Sequence, residues 1–316
     1  MQQLTPVKLS PAFKDYLWGG ERLKIDFNKK TTMTPLAESW ELSAHKAGES
    51  TVAIGELQGL TFTEYLNKIG SEALGTNALR FDYFPLLIKL IDAKDNLSVQ
   101  VHPDDAFALE NEGEYGKTEM WYVLAAEEGA ALYCGFKKDV TKDEYAKAIA
   151  ENTLTDLLNR VPVAVGDVFF IPAGTVHAIG KGILICEIQQ NSNTTYRVYD
   201  YGRRDKDGNT RPLHVEKAMA VSTLKKAPVH EKTPEGDDVL LAACPYFTVT
   251  RLRKNGAKVL TTTTKSFTSL VVTKGNGSLT GSFGSLPFAK GDSLFIPASN
   301  ATYTLEGSFE VIVTTV

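Results

Sequence analysis

Apolar residues in this chain gather into short runs that end at Gly, Pro, Asn or Asp. Leu97-Ser-Val-Gln-Val-His-Pro103, Glu119–Ala126, Ala130–Phe136, Gly166–Gly174 and Ile183–Gln190 are of this kind, as are Ser269–Gly275, Asp292–Ser299 and Phe309–Val316. Runs rich in Val, Ile, Leu, Phe, Tyr and Thr between turn formers predict β-strands. Two stretches carry apolar residues at threes and fours among charges and predict helix instead: Leu60–Leu79, and Thr141–Val161 with Tyr145, Ile149, Leu154, Leu157 and Leu158. Thr141 with Glu144 has the spacing of a capping box. The polar stretch His230–Asp238 reads as a linker, and another β-rich segment follows it.

The strand pattern repeats. Gly166-Asp167-Val-Phe-Phe-Ile-Pro172-Ala173 returns as Gly291-Asp292-Ser-Leu-Phe-Ile-Pro297-Ala298. In each copy a Gly-Asp turn launches an apolar strand that stops at proline. A hairpin with glycine turns precedes each copy, so two related β-barrels or sandwiches are expected.

Composition adds exclusions. A net charge of −4 argues against a nucleic-acid-binding protein, which usually presents a basic face. The first residues lack the apolar core of a secretion signal. The run Phe84–Ala93 is too short to span a membrane and contains Lys89. Three widely spaced cysteines form no Cys-x-x-Cys pair and suit a reducing compartment, so a cytoplasmic location is expected.

Candidate chemistry comes from alternation. If Val99 and Val101 face a core, Ser98, Gln100 and His102 share the opposite face. Lys117 and Glu119 likewise share a face at the start of the next strand. His177 ends a Gly-x5-Pro-x-Gly-x2-His string. Two imidazoles, a carboxylate and an amide oxygen make a mixed set that zinc accepts, and iron, manganese or nickel would also fit. The repeat supplies an internal control. Its second copy keeps Gly291 and Pro297 but has Ser299 in place of Gly174 and Thr302 in place of His177. The turn persists without the histidine, so His177 is not needed to build it.

The Gly-x5-Pro-x-Gly-x2-His string resembles the second cupin motif. Ser98–Asp105, Gly116–Leu124, Pro172–Gly180 and Tyr196–Arg203, with Trp18-Gly19-Gly20 and Glu38-Ser39-Trp40-Glu41, resemble the type I mannose-6-phosphate isomerase family in its short bacterial form. The resemblance implies a mainly β fold of two cupin-type jelly-roll barrels with a few helices. A catalytic unit would cover residues 1–230, with a helical insert at 141–161. A smaller, degenerate barrel without ligands would cover 239–316. It also implies one zinc ion on Gln100, His102, Glu119 and His177, and a sugar phosphate as partner, with no role for nucleic acid or membrane.

Isomerising such a sugar moves a proton between C1 and C2 and needs a grip on phosphate. The resemblance puts Arg197, Lys117 and Glu187 in the active site. Arg197 offers a planar fork for phosphate or developing charge. Lys117, beside a bound cation, is expected to have a lowered pKa suited to acid–base work. Glu187 is a carboxylate in an apolar strand and pairs with Lys117 as the proton-transfer candidates. Lys89 and Ser98 are candidate phosphate contacts, and Trp18 a candidate wall for the sugar.

Overall fold

The computed structural model describes residues 4–204 and 207–316. Its strands are numbered β1 to β20 along the chain. The N-terminal segment supplies β1 (Val7–Ser10), β2 (Ala12–Lys14), β3 (Glu38–His45), β4 (Gly48–Glu49) and β5 (Thr51–Val52). The central part holds β6 (Leu86–Ala93), β7 (Val99–Val101), β8 (Glu119–Ala126), β9 (Ala131–Phe136) and β10 (Leu158–Pro162). It continues with β11 (Val168–Ile171), β12 (His177–Ala178), β13 (Ile183–Gln190) and β14 (Tyr196–Tyr199). After the linker come β15 (Asp238–Ala243), β16 (Thr248–Thr261), β17 (Thr268–Gly281), β18 (Gly284–Ala289), β19 (Ser293–Ile296) and β20 (Thr302–Thr315).

These strands form three antiparallel sheets stacked in layers. One runs β11-β8-β13-β6-β3-β2, with β4 on the edge of β3. A second runs β10-β9-β12-β7-β14 and faces the first, closing the barrel expected to be catalytic. The third runs β15-β16-β20-β17-β19-β1-β5, with β18 beside β17.

The central strands are buried on both faces, which is why they read as nearly continuous apolar runs. Leu86, Ile88 and Leu90 of β6, Met120 and Tyr122 of β8, and Leu184, Cys186 and Ile188 of β13 share one core with Val271, Phe295 and Ile312 of the third sheet and Phe267 just before β17. Alternation turns their neighbours into the catalytic barrel, where Ile91, Trp121, Val123 and Ile185 pack together. The charged residues Lys89, Glu119 and Glu187 lie on that same inward face.

Both helix expectations were too long. The first is α-helical only at Phe62–Ile69, capped by a Thr61–Glu64 capping box. Gly70 and Gly75, with φ of 89° and 83°, break the rest into two 3-10 turns, Ser71–Leu74 and Thr76–Arg80. A side chain at Gly75 would meet the backbone of Lys265 and Ser266 at 2.5 Å, so the break also lets the two units approach. The second is a helix at Lys142–Ala150, with the expected Thr141–Glu144 box, and a 3-10 turn at Leu154–Asp156. Leu158 belongs to β10, where it pairs with Phe136.

The linker is pinned to the catalytic unit by His230, which stacks on Phe169 with ring centroids 4.1 Å apart. The third sheet is completed by β1 and β5, so a division at residues 1–230 and 239–316 follows the chain but cuts across that sheet. Among the described residues no helix is long and apolar enough to cross a membrane.

Candidate active site and metal centre

Two cross-strand rows face one another inside the catalytic barrel. In the first sheet, Trp40 pairs with Lys89, Lys89 with Glu187, and Glu187 with Trp121. In the second, Arg197 pairs with Gln100, Gln100 with His177, and His177 with Cys134. Residues in register share a face, so each row points its side chains into the barrel.

His102, Glu119 and His177 converge, with their donor atoms within 4.8 Å of one another, and all three are buried. The Nδ1 of each histidine is taken up by a backbone carbonyl: Thr194 O at 2.9 Å from His102 and Thr175 O at 2.8 Å from His177. Carbonyls accept only, so Nδ1 carries the proton and the Nε2 lone pair is free in both rings. Burial also lowers both pKa values, His177 to about 4 and His102 well below its ordinary value, with the Lys117 ammonium adding to the effect. Both rings are therefore neutral and able to act as ligands near pH 7. The turn is built to hold them. Gly174, at φ 85°, donates its backbone N–H to His102 O, and a side chain there would meet Val221 O at 2.9 Å.

Glu119 provides the test of fit. Both of its carboxylate oxygens are buried and neither accepts a well-formed hydrogen bond. Unpaired buried acceptors are costly, and burial pushes the carboxyl pKa up while Lys117 pulls it back. A tetrahedral ion with bonds of about 2.1 Å has ligand atoms about 3.4 Å apart. Here His177 Nε2 lies 3.3 Å from Glu119 Oε1, and His102 Nε2 lies 3.7 Å from Glu119 Oε2. The terminal amide of Gln100 is 3.5 Å from His177 Nε2, and a half-turn of that amide presents its oxygen there. The Lys117 ammonium stands 3.2 Å from His102 Nε2 and 3.1 Å from Glu119 Oε2, marking where this donor set gathers positive charge. The residues fit a divalent cation.

Beside this cluster opens a cavity of about 270 Å³, lined by Lys89, Ser98, Gln100, Lys117, Glu187 and Arg197 among others. Arg197 donates to Ser98 Oγ at 3.2 Å and to Pro212 O at 3.0 Å. Burial and the nearby Arg211 lower its pKa from a very high ordinary value. Trp18 is 4% exposed and tilts against Tyr16, with ring centroids 5.6 Å apart. Lys89 lines the same cavity, but its ammonium lies between carboxylates, 3.2 Å from Glu187 and 3.8 Å from Glu38. Burial alone would lower the Lys89 pKa; Glu38 and Glu187 outweigh it and raise the value, which keeps the ammonium charged. Burial likewise works against ionised Glu187, and Lys89 and Lys117 overcome it, lowering that pKa.

The structure thus brings all ten residues singled out in the sequence to one cavity and its metal-binding edge. It adds Glu38, Arg211 and Tyr16, which the sequence reading did not name as site residues. Glu38 had a signal: a carboxylate two residues from Trp40 in a strand otherwise buried on both faces. Arg211 had none, because it lies in an irregular polar segment and is oriented by Asp200, which accepts from its Nε and Nη2 at 2.8 and 2.6 Å.

The description "Phosphomannose isomerase type I, catalytic domain" matches residues 7–150, and "Mannose-6-phosphate isomerase, cupin domain" matches residues 238–316. The chain is 39% identical over 311 residues to the mannose-6-phosphate isomerase of Streptococcus mutans, covering 97% of each chain. It is 39% identical over 314 residues to mannose-6-phosphate isomerase ManA of Bacillus subtilis, covering 98% of each. A crystal structure of the Bacillus subtilis mannose 6-phosphate isomerase superposes with a TM-score of 0.90 at 36% identity, covering 99% of this chain and 100% of the other.

Proposed function

Because the chain belongs to the type I mannose-6-phosphate isomerase family, we propose that it interconverts mannose 6-phosphate and fructose 6-phosphate in this cavity, with one zinc ion on Gln100, His102, Glu119 and His177. The observation that carries the metal reading is Glu119, a buried carboxylate whose oxygens accept no well-formed hydrogen bond, beside two neutral imidazoles. Zinc held there supplies polarisation of the sugar carbonyl and tolerance of negative charge on O1 and O2.

The remaining work falls to the side chains around the cavity. Arg197, with Ser98 and Arg211 beside it, holds the phosphate, since two guanidinium groups near a cavity edge favour a dianion. Trp18 and Tyr16 cover the apolar face of the sugar and limit water. Glu187 and Lys117 exchange the protons: the one on C2 of the open-chain aldose is taken and returned at C1, while the O2 hydroxyl proton passes to O1, giving the ketose. Lys117 stands within reach of the ligands, and like charge turns its ammonium toward the substrate once the cation is bound. A volume near 270 Å³ falls just below the roughly 300 Å³ at which drug-sized ligand sites begin, as suits a small sugar phosphate. Cys134, Cys186 and Cys244 are free thiols, in keeping with a reducing, cytoplasmic setting.

The test is turnover. Metal-loaded protein should convert mannose 6-phosphate to fructose 6-phosphate, lose that activity on stripping with a chelator, and regain it with zinc. Unchanged activity after thorough metal removal would contradict the reading.

A further inference from the structure

Lys89 is a buried ammonium shared by two carboxylates, and the mechanism above uses only one of them. The other is Glu38, itself 7% exposed, on the same inward face of β3 as Trp40. The arrangement has near mirror symmetry. The Trp40 indole donates to Glu38 Oε2 at 2.6 Å, and the Trp121 indole donates to Glu187 Oε2 at 3.0 Å. Lys89 lies between them, with its Nζ 5.2 Å from the centre of the Trp40 ring. Both indoles are fully buried. Four side chains in register across β3, β6, β13 and β8 thus form a row, with Glu38 two residues from Trp40 on the same strand.

Charge balance gives Glu38 a purpose. A buried lysine with Glu187 as its only counter-ion would be left uncompensated whenever Glu187 took up a proton. It could also swing, because one carboxylate fixes only one of three N–H directions. A second carboxylate 3.8 Å away, itself clamped by an indole, keeps the ammonium compensated and draws it toward the Glu38 side by charge alone.

We propose that Glu38 is a positioning residue of the isomerase site: held by the Trp40 indole, it fixes the Lys89 ammonium opposite Glu187 and keeps it compensated while Glu187 exchanges the substrate proton. This inference rests on the proton-transfer role given to Glu187. It concerns kcat rather than substrate grip, because Glu38 stands beside the reacting region and not among the arginines.

The experiment compares four variants of the full chain with zinc bound: Glu38→Gln, Glu38→Asp, Trp40→Phe and Glu187→Gln. A slight misplacement of a reacting group costs on the order of 100-fold in rate. Glu38→Gln should therefore lower kcat by about 100-fold with KM changed by less than about threefold. Trp40→Phe, which removes the indole N–H that clamps Glu38, should lose about tenfold, and Glu38→Asp should recover part of the Glu38→Gln loss. Zinc content should stay at the wild-type level in all four. The double variant Glu38→Gln/Glu187→Gln should be no slower than Glu187→Gln alone, since residues acting as a unit are not additive.

A pH profile separates positioning from simple scaffolding. Lys89 is faced by Glu38 and His45 from β3, Glu187 from β13, Glu119 from β8, His102 beyond β7, and Tyr16. Removing the Glu38 charge takes away one of its stabilising carboxylates, so the alkaline limb of kcat should move to lower pH. Wild-type kcat in Glu38→Gln with an inactive Glu187→Gln would overturn the role of Glu38 and leave the isomerase reading intact. Full activity in Glu187→Gln would instead overturn the proton-transfer assignment beneath it. If Glu38→Gln fails to fold, Trp40→Phe decides: wild-type kcat there, with zinc retained, rejects the clamp.

Discussion

The two Gly-Asp turns are built by the same hydrogen bonds and lead to opposite interiors. Asp167 accepts from the Ala164 N–H and Asp292 from the Ala289 N–H, each at 2.8 Å. Gly166 bonds Val123 O as Gly291 bonds Val272 O, and the return bonds from Val123 to Asp167 and from Val272 to Asp292 match as well. The register therefore aligns the strands residue by residue. Ile171 pairs with Glu119 where Ile296 pairs with Thr268, and His177 pairs with Gln100 where Thr302 pairs with Thr261. Three candidate ligands in the first barrel thus correspond in register to three threonines in the second, of which only Thr268 is buried and Thr261 and Thr302 are exposed. The inside of the second barrel is filled by Leu270, Val272, Leu279, Leu294, Ile296 and Leu305. Hydrogen bonding builds the turn, and what the inward positions carry decides whether the barrel is a core or a site.

That difference can be broken at several points, and the largest effect should come from His177. His177→Ala removes one of two imidazoles, so zinc content should fall to background and kcat/KM by about 10³-fold or more. The fold should survive, because Thr302 holds the equivalent position in the second barrel without a ligand. Metal analysis with circular dichroism checks both halves, and loss of the folded spectrum would make His177 a structural residue.

Next is the pH dependence of metal binding. Burial raises the Glu119 pKa, so a proton competes with the ion further up the scale than at an ordinary carboxylate. Zinc affinity should weaken as pH falls, by up to about tenfold per unit for one displaced proton. His177, held at about 4, adds its own proton only in stronger acid. Chelator competition at pH 5, 6 and 7 measures the slope, and Glu119→Gln should flatten it.

Arg197 should act on substrate grip alone. Hydrogen bonds to charged groups are worth about 1.5–3 kcal/mol, so Arg197→Ala should raise KM for the sugar phosphate about 10- to 100-fold with zinc content unchanged. Smallest of all should be the converse graft. Thr261→Gln, Thr268→Glu and Thr302→His together should give no second zinc, because positions 261 and 302 are exposed at strand ends while hydrocarbon side chains fill the interior. Two zinc ions per chain in that variant would mean that the filling is not the barrier.

Alternation made the site legible in advance. Gln100 and His102, and Lys117 and Glu119, were grouped by period two, and the structure keeps them on one inward face. The repeat gives His177 its contrast from the sequence alone, because Thr302 stands at the matching position. The helices were overextended because spacing at threes and fours does not register the left-handed glycines at 70 and 75, or the return of Leu158 to a sheet. The sharing of β1 and β5 with the C-terminal sheet left no local trace, since pairing partners more than two hundred residues apart are chosen by packing. Arg211 was hidden for a related reason: its orientation comes from Asp200, not from a periodic element.

The most direct test of the whole account is a titration of zinc into chelator-stripped protein while mannose 6-phosphate turnover is followed. Activity should rise in proportion to bound metal and level off at one zinc per chain, with His177→Ala staying flat. Turnover in the stripped protein, or a rise equal to wild type in His177→Ala, would contradict it.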